Sequence, residues 1–131
     1  MKGALPIRKL IKDKSVEEQI SKSLNGYSSN YAFGHARLVT NGTQLNDENN
    51  QPITKSDSIT VHNGIITNID DLYIKHHDLK REYDIDTEII PLLLNKYIEN
   101  DTSISKAFEK IFDEIEGSIA IAINLIKSNT M

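Results

Sequence analysis

An Asn-Gly pair between two β-branched, apolar runs, within Val61–Asn68, is the feature that most constrains the fold of this chain. Asn-Gly is the strongest short-range signal for a type I′ turn, so it predicts a hairpin whose strands are Ile59–His62 and Ile65–Thr67. The pair also has a chemical interpretation, because the Asn63 amide and the Gly64 backbone N–H can direct two donors at one point, as an oxyanion hole requires. The residues of this segment alone leave both interpretations open.

The composition limits the class of protein. The 131 residues suit one domain, and 38% hydrophobic with 26% charged residues suit an apolar core with a polar surface. A net charge of −4 argues against a nucleic-acid partner. No apolar run has the length of a bilayer span and residues 1–6 contain no long apolar stretch, so we expect no membrane association and a cytoplasmic location. The chain has no cysteine, which excludes disulfides and thiol catalysis by these residues.

The hydrophobic pattern predicts a single α+β domain over residues 1–131, with helical and sheet layers. The polar segment 41–58 is expected to be a long surface loop. The apolar run Ser118–Ile126 predicts a strand that is covered on both faces, and Gly117 is expected to end the helix before it. A further strand is predicted over Tyr31–Arg37. Helices are predicted over Ser15–Leu24, with Ser15 as N-cap, and over Ile69–Leu79. Two more helices are predicted to begin at Asp86, with Pro91 near the start, and after the cap Ser103.

Two further segments carry residues with chemical potential. Arg37 lies near the end of a predicted strand, where it can clamp a carboxylate with two parallel hydrogen bonds or form a surface ion pair. Asp86 stands at a helix start, where a carboxylate either caps the helix or accepts from the ammonium group of an amino acid. An arginine for an α-carboxylate, an aspartate for an α-amine and the Asn63-Gly64 donors for a side-chain amide together describe a glutamine site.

These segments, in this order and at this spacing, resemble the class II glutamine amidotransferase domain, and in particular the glutaminase half of glutamine–fructose-6-phosphate aminotransferases. The motifs are Gly-His-x-Arg-x-x-Thr-x-Gly at Gly34–Gly42, Val-His-Asn-Gly-Ile-Ile-x-Asn at Val61–Asn68 and Asp-Thr-Glu at Asp86–Glu88. The stretch Asn50–Ile53 resembles the family's Asn-x-Gln/His-Pro sequence, and a helix, a glycine and a strand follow, ending at Ile126.

The resemblance implies an N-terminal-nucleophile fold, an αββα sandwich in which two β-sheets pack between helical layers. It implies that Arg37 binds the α-carboxylate of glutamine, that Asp86 binds its α-amino group and that Thr40 helps to line the pocket. It also implies that Asn63 and the Gly64 N–H form the oxyanion hole. The implied reaction is hydrolysis of glutamine to glutamate and ammonia, with the ammonia passing to a synthase or isomerase domain or subunit that acts on a sugar phosphate.

The nucleophile is the main departure from the family pattern. The family uses an N-terminal cysteine in a Cys-Gly-Ile strand, whereas this sequence begins Met1-Lys2-Gly3 and contains no cysteine. Ser15, Ser21 and Ser23 fall in a predicted helix and lack a free α-amine, so we reject them as substitutes. We expect a domain that is incomplete at both ends and lacks the nucleophile strand, or alternatively a glutamine-binding or scaffold domain without catalysis.

Self-association and metal binding are further hypotheses. A sheet edge left open by a missing strand would invite pairing with another chain, so a homo-oligomer is expected. A competing metal site would use His35, His62, His76 and His77. No zinc-type spacing of histidine and carboxylate supports this site, so we expect neither a metal nor a cofactor. The residues expected to face solvent are His76, His77, Asp113, Glu114 and Glu116.

Overall fold

The computed structural model describes residues 6–25, 35, 47–55 and 57–126, and it combines helices with a sheet, as the α+β prediction requires. The strands are β1 (Ile53–Lys55), β2 (Ser58–Ile66) and β3 (Gly117–Leu125). The α-helices are α1 (Ile7–Leu10), α2 (Lys14–Leu24), α3 (Ile69–Lys75), α4 (Ile89–Glu99) and α5 (Ile104–Glu114). Short 3₁₀ turns cover Asp47–Asn49 and Asp86–Glu88. The second sheet of an αββα sandwich stays a prediction.

The described sheet has the order β1-β2-β3, and both pairings are antiparallel. Every residue of β2 has a partner in β3, from Ser58 opposite Leu125 to Ile66 opposite Gly117. The hairpin predicted at Asn63-Gly64 is therefore wrong, because this pair lies within a continuous strand. β1 pairs only with the first residues of β2 and reaches no further than Thr60. In the described part of the chain, one edge of β2 is thus covered along its length and the other only at its start.

The hydrophobic core lies between the sheet and α3, α4 and α5. Its buried members are Ile66, Leu72, Ile89, Ile90, Leu93, Leu94, Ala107 and Ile111. Alternate residues of β3 pack against this cluster, namely Ile119, Ile121, Ile123 and Leu125. The opposite face of β3 exposes Ser118, Ala120 and Ala122. The prediction of a strand covered on both faces is therefore wrong for the described residues, because these helices cover one face of the sheet.

In the first part of β2, polar side chains face the interior of the domain, where apolar side chains are usual. Ser58, Thr60 and His62 are buried on the helix-facing side, where β2 packs against the turn Asp86–Glu88 and α4. Buried polar groups need hydrogen-bond partners. The interior at this point is therefore a polar network rather than a purely apolar core, and it positions the candidate site.

The helix starts confirm some local predictions and correct others. The Ser103 hydroxyl accepts from the Lys106 N–H and caps α5, and Pro91 lies in the first turn of α4, as predicted. α2 begins at Lys14 because Asp13, rather than Ser15, accepts the capping hydrogen bond, here from the Ser15 N–H (2.9 Å).

The remaining boundaries also differ from the pattern. α3 ends at Lys75, short of the predicted Leu79, and Gly117 opens β3 rather than ending α5. The polar segment 41–58 contains β1 and a 3₁₀ turn in its described part, while the strand predicted over Tyr31–Arg37 lies outside the described residues apart from position 35. None of the helices in the described ranges combines the length and the apolar character that a bilayer crossing requires.

Candidate functional site

The candidate site lies along the edge of β2 that β1 leaves uncovered. Alternate residues of a paired strand direct their backbone groups to opposite edges. The N–H and the carbonyl of His62 bond to Gln51, so Thr60, His62, Gly64 and Ile66 direct their backbone groups to this edge, and the residues between them direct theirs towards β3. The Thr67 N–H agrees with this assignment, because it donates to the carbonyl just before β3 (2.9 Å).

Side chains take the place of a neighbouring strand at two points on this edge. Gln51 accepts a hydrogen bond from the His62 N–H through Oε1 (2.5 Å) and donates to the His62 carbonyl through Nε2 (2.7 Å), as a paired strand residue would. Asp86 accepts from the Ile66 N–H through Oδ2 (3.0 Å). An amide and a carboxylate therefore flank Gly64 on its two sides.

Gly64 places a backbone N–H between these side chains. It lies two residues from His62 and two from Ile66, or about 7 Å along the strand in each direction. Its φ of 143° favours glycine, and a Cβ here would stand 1.9 Å from the Ser118 carbonyl oxygen. Only glycine permits this close approach to β3. This places a backbone donor on the edge of β2 that, within the described residues, no other strand covers at Gly64.

Asp86 opens the 3₁₀ turn before α4 and is 5% exposed. Beside the Oδ2 contact to Ile66, its Oδ1 lies 3.8 Å from Nδ1 of His62. The helix-cap interpretation of Asp86 is wrong, because its carboxylate bonds to β2 and α4 begins three residues later, at Ile89. An ionised carboxylate has about four acceptor sites, so Asp86 keeps the capacity to bind a further donor.

Thr87 joins Gln51 to His62 on the inner side of this edge. Its hydroxyl accepts from Gln51 Nε2 (3.1 Å) and lies 3.3 Å from Nδ1 of His62, and Thr87 and His62 are both buried. The tautomer of His62 decides which of these two groups donates across the contact between Nδ1 and the hydroxyl. Within the described part of the chain, Nε2 has no hydrogen-bond partner.

Glu88 fixes the far side of the 3₁₀ turn and is completely buried. Its carboxylate accepts from the backbone N–H groups of Glu82 (3.0 Å) and Tyr83 (3.0 Å) and pairs with Nζ of Lys55 (2.7 Å). Burial lowers the pKa of Lys55, but hydrogen bonds to Glu82 and Glu88 outweigh burial and hold that pKa above its ordinary value. The charge of Glu88 is thus compensated, and the turn that carries Asp86 is held from both sides.

The sequence that builds this site matches a known family. Residues 35–131 match the family model of a glutamine amidotransferase domain. The chain belongs to the glutamine amidotransferase domain family. The resemblance that the three motifs indicated is thereby confirmed.

Curated relatives of this domain agree with the family match. The chain is 37% identical over 96 residues to a glutamine–fructose-6-phosphate aminotransferase (isomerizing) of Streptococcus mutans, which covers 70% of this chain and 15% of that relative. It is 34% identical over 114 residues to the Streptococcus agalactiae protein of the same name, and this match covers 82% of the chain and 18% of that relative. It is also 34% identical over 111 residues to the Sulfolobus acidocaldarius protein of that name, and this match covers 82% of the chain and 19% of that relative. This glutamine amidotransferase domain therefore spans less than a fifth of the length of these relatives.

The structure brings part of the predicted glutamine site of this amidotransferase domain together. Gly64 and Asp86 lie along the same edge of β2, where Asp86 bonds to Ile66, two residues beyond Gly64. Asn63 has an exposed side chain, which strand alternation places on the sheet face opposite to His62. Arg37 and Thr40 lie outside the described residues, so their roles stay predictions.

Sequence reasoning missed Gln51, Thr87 and His62 as parts of one network. Gln51 and Thr87 fall within recognised motifs, but the motifs assigned no role to them, and His62 entered only as a possible metal ligand. Their hydrogen bonds join residues 11 and 36 positions apart, which a local pattern does not report. The only signal in the sequence was their position in the motifs.

The described histidines that lie inside the domain belong to separate networks. His62 contacts Thr87, whereas Nε2 of His76 lies 2.6 Å from Oε2 of Glu114 and Nδ1 of His76 lies 3.1 Å from Nζ of Lys96. Across the described ranges, no group of three or more His, Cys, Asp or Glu side chains is placed to hold a metal ion.

The His76 network corrects a prediction about the surface. His76 is buried and Glu114 is half-buried, so the prediction that they face solvent is wrong, while His77, Asp113 and Glu116 are exposed as predicted. Burial raises the pKa of Glu114, but the hydrogen bonds that it accepts outweigh burial and lower the pKa below its ordinary value. The donors are Tyr97, His76 and Lys75.

Proposed function

We propose that this domain binds L-glutamine along the uncovered edge of β2 and positions its side-chain amide for hydrolysis to glutamate and ammonia. The observation that carries the proposal is the arrangement of the Gly64 N–H and the Asp86 carboxylate along one strand edge. A donor for an oxyanion and an acceptor for an ammonium group, about 7 Å apart along the strand, suit the two ends of one extended glutamine molecule.

Each residue of the proposed site has a role that its chemistry supports. Asp86 receives the α-ammonium group, because its carboxylate retains free acceptor sites beside the bond to Ile66. The Asn63 amide and the Gly64 N–H donate to the oxygen of the side-chain amide, where negative charge develops. Arg37 pairs with the α-carboxylate through two parallel hydrogen bonds, and Thr40 lines the pocket.

Hydrolysis requires a thiol that these 131 residues do not contain. In the proposed reaction, the α-amine of the cysteine takes the thiol proton and the thiolate attacks the amide carbon. The tetrahedral oxyanion collapses as the nitrogen receives that proton and leaves as ammonia. Water then hydrolyses the thioester to glutamate and regenerates the thiol. We propose that the thiol belongs to polypeptide outside the given sequence, because none of the 131 residues is a cysteine.

The acceptor of the ammonia is inferred from the relatives. They are named glutamine–fructose-6-phosphate aminotransferases, so a synthase or isomerase domain or subunit that acts on a sugar phosphate is the proposed partner. A second candidate function is glutamine binding or scaffolding without hydrolysis, which the missing cysteine favours. The two functions differ in their product, since only hydrolysis releases glutamate.

Calorimetric titration of L-glutamine into the purified chain tests the site. Asp86→Asn preserves the acceptor for the Ile66 N–H but removes the charge that faces the ammonium group. A hydrogen bond to a charged group contributes about 1.5–3 kcal/mol, so we expect the affinity to fall roughly 10- to 100-fold. Arg37→Ala is expected to lose a comparable amount.

The matched control is Asp70→Asn, an identical change on the surface of α3, where the side chain is 83% exposed and pairs with Arg81. This variant should bind glutamine as the unmodified chain does, because exposed ion pairs contribute little. A folded chain that takes up no glutamine would disprove the proposed site. Glutamate release by the complete gene product, measured with an enzyme-coupled assay, then separates hydrolysis from binding alone.

A further inference from the structure

Gln51 connects the two halves of the proposed site through one side-chain amide. Its Oε1 and Nε2 bond to the backbone N–H and carbonyl of His62, the residue just before Asn63. The same Nε2 bonds to the hydroxyl of Thr87, the residue just after Asp86. One amide group therefore touches both the strand that carries the oxyanion donors and the turn that carries the ammonium acceptor.

We propose that Gln51 is a positioning residue that fixes the distance between the Gly64 N–H and the Asp86 carboxylate, and so makes the site selective for glutamine over asparagine. This inference rests on the proposed function. The two amino acids have the same α-carboxylate and α-ammonium groups and the same terminal amide, and they differ by one methylene. A site that distinguishes them must hold its donor and its acceptor at a fixed separation.

The contacts at the edge of β2 explain why Gln51 fulfils this role. The bond between the Ile66 N–H and Asp86 holds the turn on one side of Gly64. On the other side, the Thr87 hydroxyl lies 3.3 Å from Nδ1 of His62, and Gln51 reinforces this contact by bonding both to Thr87 and to the His62 backbone. Two ties on opposite sides of Gly64 prevent the turn from sliding along the strand.

The tie requires a group that donates and accepts together. An amide provides both, whereas an ionised carboxylate only accepts. Gln51→Glu therefore keeps the shape of the side chain and the bond from the His62 N–H. It places a carboxylate oxygen against the His62 carbonyl oxygen, and it removes the N–H group that donates to Thr87. The added negative charge acts equally on the identical head groups of glutamine and asparagine, so it cancels in the ratio of their affinities.

The test is the ratio of the dissociation constants of L-asparagine and L-glutamine, measured by calorimetry. One methylene discriminates by about 10- to 200-fold in a fitted site, which is the selectivity expected of the unmodified chain. In Gln51→Glu we expect this ratio to fall at least about tenfold. Gln19→Glu, the same change at an exposed position of α2, should leave the ratio unchanged.

A second pair of variants tests the tie without changing Gln51 or the net charge. Thr87→Val removes the hydroxyl that Gln51 and His62 both contact, whereas Thr87→Ser retains it, so an effect of Thr87→Val is assigned to Gln51 only where Gln51→Glu lowers the ratio as well. We expect Thr87→Val to lower the selectivity and Thr87→Ser to preserve it. A general loss of stability would weaken both ligands together and leave the ratio in place, so the ratio reports positioning.

The outcomes separate this inference from the function on which it rests. Unchanged selectivity in both Gln51→Glu and Thr87→Val, with glutamine still bound, would overturn the role of Gln51 and leave the glutamine site standing. An unmodified, folded chain that binds neither amino acid would overturn the proposed function, and the role of Gln51 would fall with it.

Discussion

The buried carboxylate of Glu88 makes the domain sensitive to a substitution that preserves shape. Glu88→Gln replaces one oxygen by an NH₂ group, although Lys55, Glu82 and Tyr83 all direct donors at this side chain. In either orientation of the amide, a donor faces a donor. Breaking a buried ion pair by removing one partner costs about 3–5 kcal/mol. Against a total stability of about 5–15 kcal/mol, we expect a loss of at least ~3 kcal/mol in the free energy of unfolding.

Urea denaturation followed by circular dichroism measures this loss, and the slope of the transition should stay constant. The matched control is Glu82→Gln, which removes the other carboxylate on Lys55. Glu82 is 48% exposed, so we expect this variant to lose about 1 kcal/mol or less. The double variant Lys55→Met/Glu88→Gln removes both buried charges and should lose less than the sum of its single changes. A loss in Glu88→Gln no larger than in Glu82→Gln would refute the reasoning that burial makes this charge decisive.

Two other predictions concern acid stability and backbone geometry. The folded pKa of Glu114 is lowered, so its contribution to stability is complete above its ordinary value of 4.5 and is lost as the pH falls through the folded pKa. Thermal melts at successively lower pH should therefore fall more steeply for the unmodified chain than for Glu114→Gln, and parallel curves would contradict this assignment. Gly64→Ala places a Cβ 1.9 Å from the Ser118 carbonyl, so we expect a distorted β2–β3 pairing and no detectable glutamine binding by calorimetry. Normal affinity in folded Gly64→Ala would show that this stretch of β2 is built differently.

Features that act within one turn of the chain were predictable from the sequence. Ser103 caps α5 through a residue three positions away, and Pro91 is tolerated in α4 because first-turn N–H groups need no partner within the helix. The α+β class follows from such local signals. Both Asp13 and Ser15 have side chains that can cap α2, and in the structure Asp13 makes the capping hydrogen bond. The exact residue at which a helix starts therefore depends on which of two neighbouring side chains is positioned to accept from the free N–H groups.

Features decided by distant segments were not predictable in this way. Asn63-Gly64 has the composition of a tight turn, yet its backbone follows β3, which lies more than fifty positions later in the chain. The positive φ of Gly64 serves the close approach of Ser118 rather than a reversal of direction. The motif identified Asp86, but neither spacing nor periodicity indicates that Gln51 completes the edge of β2.

The side chains along β2 also determine what this edge can pair with. An open strand edge usually templates another strand, because its backbone groups at every second residue seek partners. Here Gln51 occupies the groups of His62 and Asp86 occupies the N–H of Ile66. Among the residues that the structure describes, Gly64 is the one interval of this edge that an incoming chain could pair with, and it is too short for a ladder. These two side chains thereby oppose strand-to-strand pairing at the place where a small molecule is proposed to enter.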